Sequence, residues 1–247
     1  TVGARMFESE FSSPGGGWAG YFYNSKASDD APGNSGSTDD MIYKFNLTYD
    51  VSDNLLAFFN YAEGFRPGGG NTEGATNPNV PETYQPDVLD SYEFGWKMRS
   101  DDGRTTFNGA VYHMEWTDFQ TSIYDLLISP LIFRANAGNA EVDGVEAELN
   151  TLVGERLMLG VGATYNQSQL TKDFNSTVDP DVVWAPKGRR LPYSPELRYS
   201  ANARYTWEQG NDASGYAHIS YSYTDDMWNL LITEPFQADA VPRLSLI

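Results

Sequence analysis

Leu197-Arg-Tyr-Ser-Ala-Asn-Ala-Arg-Tyr-Thr-Trp-Glu208 sends Leu197, Tyr199, Ala201, Ala203, Tyr205 and Trp207 one way and Arg198, Ser200, Asn202, Arg204, Thr206 and Glu208 the other. Side chains alternate between the two faces of a strand, so this stretch reads as a strand with one greasy and one wet surface. The same period recurs outward from it in both directions. Ala217, Ile219, Tyr221 and Tyr223 oppose His218, Ser220, Ser222 and Thr224. Leu157, Leu159, Val161, Ala163 and Tyr165 oppose Gly160, Gly162, Thr164 and Asn166, and Val145, Ala147 and Leu149 oppose Glu146, Glu148 and Asn150. Tyr92, Phe94, Trp96 and Met98 oppose Ser91, Glu93, Gly95 and Lys97. Met41 to Val51 alternates as well, whereas Asn54 to Gly64 and Arg104 to Trp116 mix their faces, as a mid-strand bulge would make them do.

The connections between these strands alternate in length. Short turns rich in Asp, Asn, Gly or Ser fall at 51–54, 100–104, 151–156 and 208–214. Long connections run over 12–40, 65–88, 117–139, 171–196 and 229–241. Strands of ten or more residues would be about 33 Å long and, tilted about 45°, would cover roughly 24 Å, the thickness of an outer-membrane hydrocarbon layer. Aromatic residues gather near the strand ends, at Tyr61, Phe65, Trp116, Phe119, Trp207, Tyr223 and Trp228, which suits a membrane–water boundary. The fold class expected is all-β: an antiparallel transmembrane β-barrel wall of about nine to ten strands, the last beginning near Val241 to Ile247. Short turns face the periplasm in this reading, and long loops face the cell exterior.

Composition removes other classes. With no Cys and 2 His, thiolate zinc sites, iron–sulfur clusters, disulfides and Cys nucleophiles are excluded. A net charge of −18 leaves no basic footprint for nucleic acid. A hydrophobic share of 40%, with 14% aromatic residues, is too high for a disordered acidic chain. The longest apolar stretch, Leu126 to Phe133, is broken by Ser129 and Pro130 and is far too short for a spanning helix.

Four tracts in order then become informative: Asn60-Tyr-Ala-Glu-Gly-Phe-Arg-Pro-Gly-Gly-Gly-Asn71, Tyr84-Gln-Pro-Asp-Val-Leu-Asp-Ser-Tyr-Glu-Phe-Gly-Trp-Lys97, Phe107 to Gln120, and Asn136-Ala-Gly-Asn-Ala-Glu-Val-Asp-Gly-Val-Glu-Ala-Glu-Leu149. Together with Leu191-Pro-Tyr-Ser-Pro-Glu196, this set resembles the barrel of TonB-dependent outer-membrane receptors over about Met41 to Ser222. That family imports iron–siderophore complexes, cobalamin and some carbohydrates. The resemblance implies a barrel of about 22 strands and a plug domain that engages the TonB energy-coupling complex. On this reading residues 1–247 are a partial barrel, with the plug and the C-terminal strands missing. The implied function is TonB-coupled uptake of a scarce solute, by default a ferric siderophore, across the outer membrane of a Gram-negative bacterium. Lipid, lipopolysaccharide, the coupling complex and a small-molecule ligand are the implied partners, with no covalent chemistry and no resident cofactor. Two rivals stand beside it: a passive porin or surface adhesin barrel, and a secreted carbohydrate-binding β-sandwich.

Individual features divide between function and framework. Arg189, Arg190, Arg198 and Arg204 form a basic cluster in the sequence, and with Arg66 they are the candidate contacts for an anionic ferric chelate or an acidic plug surface. Glu146 and Glu148 stand roughly 7 Å apart on one face, within the carboxylate spacing of inverting glycosidases, but on a barrel wall they read as lumen solvation. His113 and His218 read as wall positions. Gly15-Gly-Gly-Trp-Ala-Gly20 matches a nucleotide fingerprint without the βαβ unit that would give it meaning. Asn46-Leu-Thr48, Asn166-Gln-Ser168 and Asn175-Ser-Thr177 match the glycosylation pattern by coincidence. Loop carboxylates such as Asp29, Asp30, Asp39, Asp40, Asp173, Asp179 and Asp181 keep the exterior soluble or bridge divalent ions on lipopolysaccharide.

Overall fold

A computed structural model describes residues 1–13, 34–71, 77–125, 128–210 and 213–232. The Gly15–Gly20 tract, Asp29, Asp30 and the expected tenth strand lie outside these residues. The strands are β1 (Val2–Ser13), β2 (Asn34–Ser52), β3 (Leu55–Arg66), β4 (Gly69–Gly70), β5 (Thr83–Tyr84), β6 (Asp87–Arg99), β7 (Thr105–Thr117), β8 (Gln120–Ile123), β9 (Phe133–Asn136), β10 (Ala140–Val153), β11 (Leu157–Leu170), β12 (Phe174–Asn175), β13 (Val183–Ala185), β14 (Leu197–Glu208) and β15 (Ser214–Thr224). Nine of them pair as antiparallel neighbours in one sheet, ordered β1-β2-β3-β6-β7-β10-β11-β14-β15. The remaining six form three two-stranded pairs, β4–β5, β8–β9 and β12–β13, inside the long connections.

Every described hairpin of the wall turns tightly at one end of the sheet and through a long segment at the other. In two tight turns Gly103 and Gly154 take φ of 68° and 65°, a left-handed backbone that costs glycine nothing. Register fixes the faces, because residues directly opposed across an antiparallel ladder point the same way. Phe59, Phe94, Val111, Val145 and Tyr165 align in one row across β3, β6, β7, β10 and β11. The neighbouring row, Asn60, Glu93, Tyr112, Gly144 and Asn166, points the other way. Phe94 keeps 51% of its surface and Ile219 72%. Apolar area costs about 25 cal/mol per Å² in water, so a continuous apolar row this bare requires a non-aqueous phase against it. A β-sandwich is ruled out by the same observation, since no second sheet covers either face among the described residues.

The enclosed core sits in the long connections rather than in the wall. Val80, Phe119, Ile123, Phe133, Leu170, Phe174, Trp184, Leu191 and Leu231 are buried together there, with Trp116 and Val142 packed against them from the inner face of the sheet. Three expectations are corrected by this arrangement. Strand β2 starts at Asn34, not Met41, because Phe7–Ser13 of β1 offer a complete backbone ladder to Asn34–Asp40; ladder hydrogen bonds do not need the side-chain alternation that this Ser-, Gly- and Asp-rich segment lacks. No bulge divides β3 or β7, whose pairings with β6 and β10 run in unbroken register, and the one shift in the β2–β3 pair lies by the turn, between Asp50 and Ser52. The mixed patterns arise instead because the inner face carries apolar groups, such as Phe58 beside Gly95 and Trp116 beneath the loop core. Trp116 and Phe119 accordingly stack edge-to-face, 4.7 Å between centroids, within that core instead of facing lipid. Tyr61, Tyr205 and Trp207 do project from the outer face.

Candidate functional site

The inner face forms a trough of about 890 Å³ lined by Asn60, Glu93, Glu146, Glu148, Arg198 and Asn202, among others. A polar ladder crosses its floor. Asn46 Nδ2 donates to Asn60 Oδ1, and Asn60 Nδ2 donates to Glu93 Oε2 at 3.1 Å. Glu146 and Glu148 both line this trough, as expected of lumen residues. His113 projects from the opposite face, its Nδ1 2.8 Å from Asp143 Oδ1 and its Nε2 3.6 Å from Glu115 Oε1. Sequence alone hid those partners, because they lie on the next strand or two residues along and only register brings them together.

Above the trough, the long connections are tied to one another by side chains that reach across large sequence separations. Asn71 Nδ2 donates to the Pro81 and Arg134 carbonyls at 2.9 and 2.8 Å, and Asn71 Oδ1 accepts from the Arg134 amide at 2.9 Å. Thr177 Oγ1 donates to the Asn79 carbonyl at 3.3 Å, and Asn77 Nδ2 to that of Ile128 at 2.8 Å. These bonds join the 67–86, 118–139 and 171–196 segments.

Arg66, at the end of β3 and directly opposite Asp87 of β6, ties the wall to these segments. Its Nε lies 3.0 Å from each oxygen of Asp87, and its Nη2 pairs with Asp87 Oδ2, giving a forked contact to a carboxylate that is 1% exposed. Asp87 Oδ2 also accepts the Gln120 amide at 2.9 Å. Arg66 Nη2 further donates to the Gln120 carbonyl at 3.1 Å, while Gln120 Nε2 reaches the carbonyls of Pro67 and Gln85 at 3.1 and 3.0 Å. The guanidinium stacks 4.8 Å from the Trp116 ring. Asp87 and Gln120 carried no separate signal in the sequence, although both belong to the tracts that drew the family resemblance.

The four other candidate arginines are not brought together. Arg198 lines the trough. Arg204 lies six residues further down β14, about 20 Å away at 3.3 Å per residue, with its guanidinium 4.2 Å from the Tyr216 ring. Arg189 and Arg190 sit on a short patch that pairs with the end of β11: the Leu170 amide donates to the Arg189 carbonyl at 2.9 Å, and the Leu191 amide to the Ser168 carbonyl at 3.1 Å. Arg190 stands opposite Gln169, and its Nη1 is 3.4 Å from Glu196 while its Nη2 reaches the Asp226 carbonyl at 3.3 Å. Arg189, opposite Leu170, takes the inner side. Its guanidinium lies 4.2 Å from the Trp228 ring. Burial first, and the charge of Arg190 second, lower the Arg189 pKa from the ordinary arginine value.

A sheet greasy on one side and polar on the other, tightly turned at one rim and capped by packed loops at the other, defines one wall of a transmembrane β-barrel. The chain belongs to the TonB-dependent receptor-like β-barrel family, whose model matches residues 1–239. That family resides in the outer membrane of Gram-negative bacteria and comprises transporters, not enzymes. The chain is 30% identical over 209 residues to the ferric-pyoverdine M114 receptor PbuA of Pseudomonas sp. (strain M114), covering 75% of this chain and 24% of that one. It is 27% identical over 145 residues to the probable TonB-dependent siderophore receptor PiuA of Acinetobacter baumannii, covering 57% and 19%. The crystal structure of the ferric yersiniabactin uptake receptor FyuA from Yersinia pestis superposes with a TM-score of 0.63 at 16% identity, over 93% of this chain and 32% of that one. The chain thus spans about a quarter or less of the curated relatives it matches.

Proposed function

We propose that the parent protein is an outer-membrane active-transport receptor that takes up a ferric siderophore through TonB. The observation that carries this is family membership together with relatives named for siderophore reception. The architecture supports it: a wet trough able to hold a plug, beneath loops packed into one body with cationic groups at its mouth. In this reading the loops bind the iron complex, a plug domain outside this chain presents its coupling segment to the TonB complex, and the applied pull rearranges the plug. Arg66, Arg189, Arg190, Arg198 and Arg204 are the candidate contacts to an anionic chelate or to the plug. The exposed apolar rows meet outer-membrane lipid, and the exterior carboxylates meet lipopolysaccharide through divalent ions. Measuring uptake of radiolabelled ferric siderophores in cells that depend on this receptor tests the proposal. Accumulation is expected to vanish in cells lacking TonB; accumulation that persists there returns the protein to the passive porin class.

A further inference from the structure

Among the described residues, the buried side-chain nitrogen and oxygen atoms that lack a hydrogen-bond partner are Ser168 Oγ, Arg189 Nε, Arg189 Nη2 and Arg190 Nε. All of them fall on the single patch where 189–191 pairs with the end of β11. Native structures leave few buried polar groups unpaired, and each one calls for a physical reason. Here every orphan is able to donate, and most are cationic, so the missing partner is an anion or another acceptor. By register, Arg189 and Ser168 share the inner face as diagonal neighbours, whose backbones are about 7–8 Å apart. Arg190 points to the other side, and its terminal nitrogens are already engaged with Glu196 and Asp226. That leaves the Nε/Nη2 edge of Arg189, the same edge with which Arg66 grips Asp87. This edge matches the two oxygens of a carboxylate.

We propose that the Arg189 Nε/Nη2 fork, assisted by Ser168 Oγ, is a carboxylate seat at the mouth of the receptor, and that the transported chelate brings the carboxylate. The second half rests on the uptake function proposed above; it commits the ligand to iron complexes with at least one carboxylate left free of the metal. Trp228 is the cover of the seat. Its ring stacks on the guanidinium, and its carbonyl accepts the Tyr193 amide at 2.7 Å, with Tyr193 held at φ 57°, an uncommon backbone for an aromatic residue. An anion reaches the fork when the ring slides aside, so occupancy changes the environment of Trp228.

The test uses the full-length receptor in detergent micelles and iron-free citrate as probe, followed by tryptophan fluorescence and calorimetry, with inorganic phosphate as a second arm. Wild type is expected to bind citrate saturably, and R189Q to weaken that binding by at least about tenfold. R189K keeps the charge without the fork and is expected to stay near the R189Q level, whereas R156Q, in the tight turn of the opposite rim, is expected to bind as wild type does. The fluorescence change is expected to disappear in W228F while calorimetric binding remains. Phosphate binding more tightly than citrate, R189K binding like wild type, a loss in R156Q as large as that in R189Q, or no saturable citrate binding up to about 50 mM overturns the seat. Failure of the two proposals is separable: uptake through TonB without citrate binding removes the seat alone, and citrate binding lost in R189Q without any such uptake removes the transport reading alone.

Discussion

Arg66 and Arg189 present the same chemistry in two regions of the loop cap and differ in what closes it. Each guanidinium lies on a tryptophan, Trp116 at 4.8 Å in one case and Trp228 at 4.2 Å in the other. The Arg66 fork holds a buried carboxylate from its own chain, which in turn holds the Gln120 amide. The Nε and Nη2 atoms of the Arg189 fork are buried and have no hydrogen-bond partner among the described residues. A cation removed from water is stabilised only by a partner in good geometry, and an uncompensated one costs several kcal/mol. One region is therefore a finished tie between strands and loops, and the other leaves donor atoms that framework stability alone does not explain.

Substitutions separate the two. The largest effect is expected where loop packing itself is removed: W184A deletes a ring that is 2% exposed and set edge-on to Phe174, with centroids 5.3 Å apart, and should cost the cap about 3–5 kcal/mol. Hydrogen exchange should show the 67–86, 118–139 and 171–196 segments losing protection together; loss confined to the last one would mean that the loops are not one packed body. D87A comes next. It strands the buried Gln120 amide and frees an Arg66 fork that water can reach, and should cost about 1–3 kcal/mol. Thermal unfolding of the full-length receptor gives the comparison. R189M, which removes a half-buried cation whose fork atoms lack a partner, should shift stability by less than about 1 kcal/mol or raise it, and a loss as large as that of D87A would mean that the Arg189 fork is paired within the protein. The smallest effect lies at the opposite rim. The Ser100 hydroxyl at 2.6 Å, and then the Arg104 amide at 3.0 Å, hold the Asp102 carboxyl below the usual carboxylate range. A depressed folded pKa stabilises above the unfolded value and is lost as pH falls through the folded one. The Arg104 amide resonance should therefore move toward its D102N position only on acidification below the ordinary carboxylate range.

How much of this was legible in the sequence depends on the range of the information. Alternation is local, so β6, β10, β11, β14 and β15 could be read directly, together with the asymmetry of their connections. The inner assignment of Glu146, Glu148 and Arg198 followed from the same period. Where a strand meets a neighbour unevenly, the pattern misled. Trp116 reads as a boundary residue because its burial comes from the loop core, Phe119 included, which only folding places over the inner face. Asn34–Asp40 looked like loop because a backbone ladder leaves no trace in side-chain type. The candidate site fared likewise. Five arginines could be picked out by charge, but Arg66 meets Asp87 only because the register of β3 and β6 sets them opposite one another, and the surroundings of Arg189 depend on the fold of connections with no periodic signal. Ser168 had been visible only as the end of a fortuitous glycosylation pattern.

The sheet separates lipid from lumen, and β14 (Leu197–Glu208) offers the sharpest check of that separation. Nitroxide labels at Ser200, Ala201, Asn202 and Ala203 in the full-length receptor, reconstituted in bilayers, report collision rates with dissolved oxygen, which concentrates in lipid. High oxygen accessibility is expected at Ala201 and Ala203, and low accessibility at Ser200 and Asn202. Equal values at all four positions, or the opposite alternation, would contradict it.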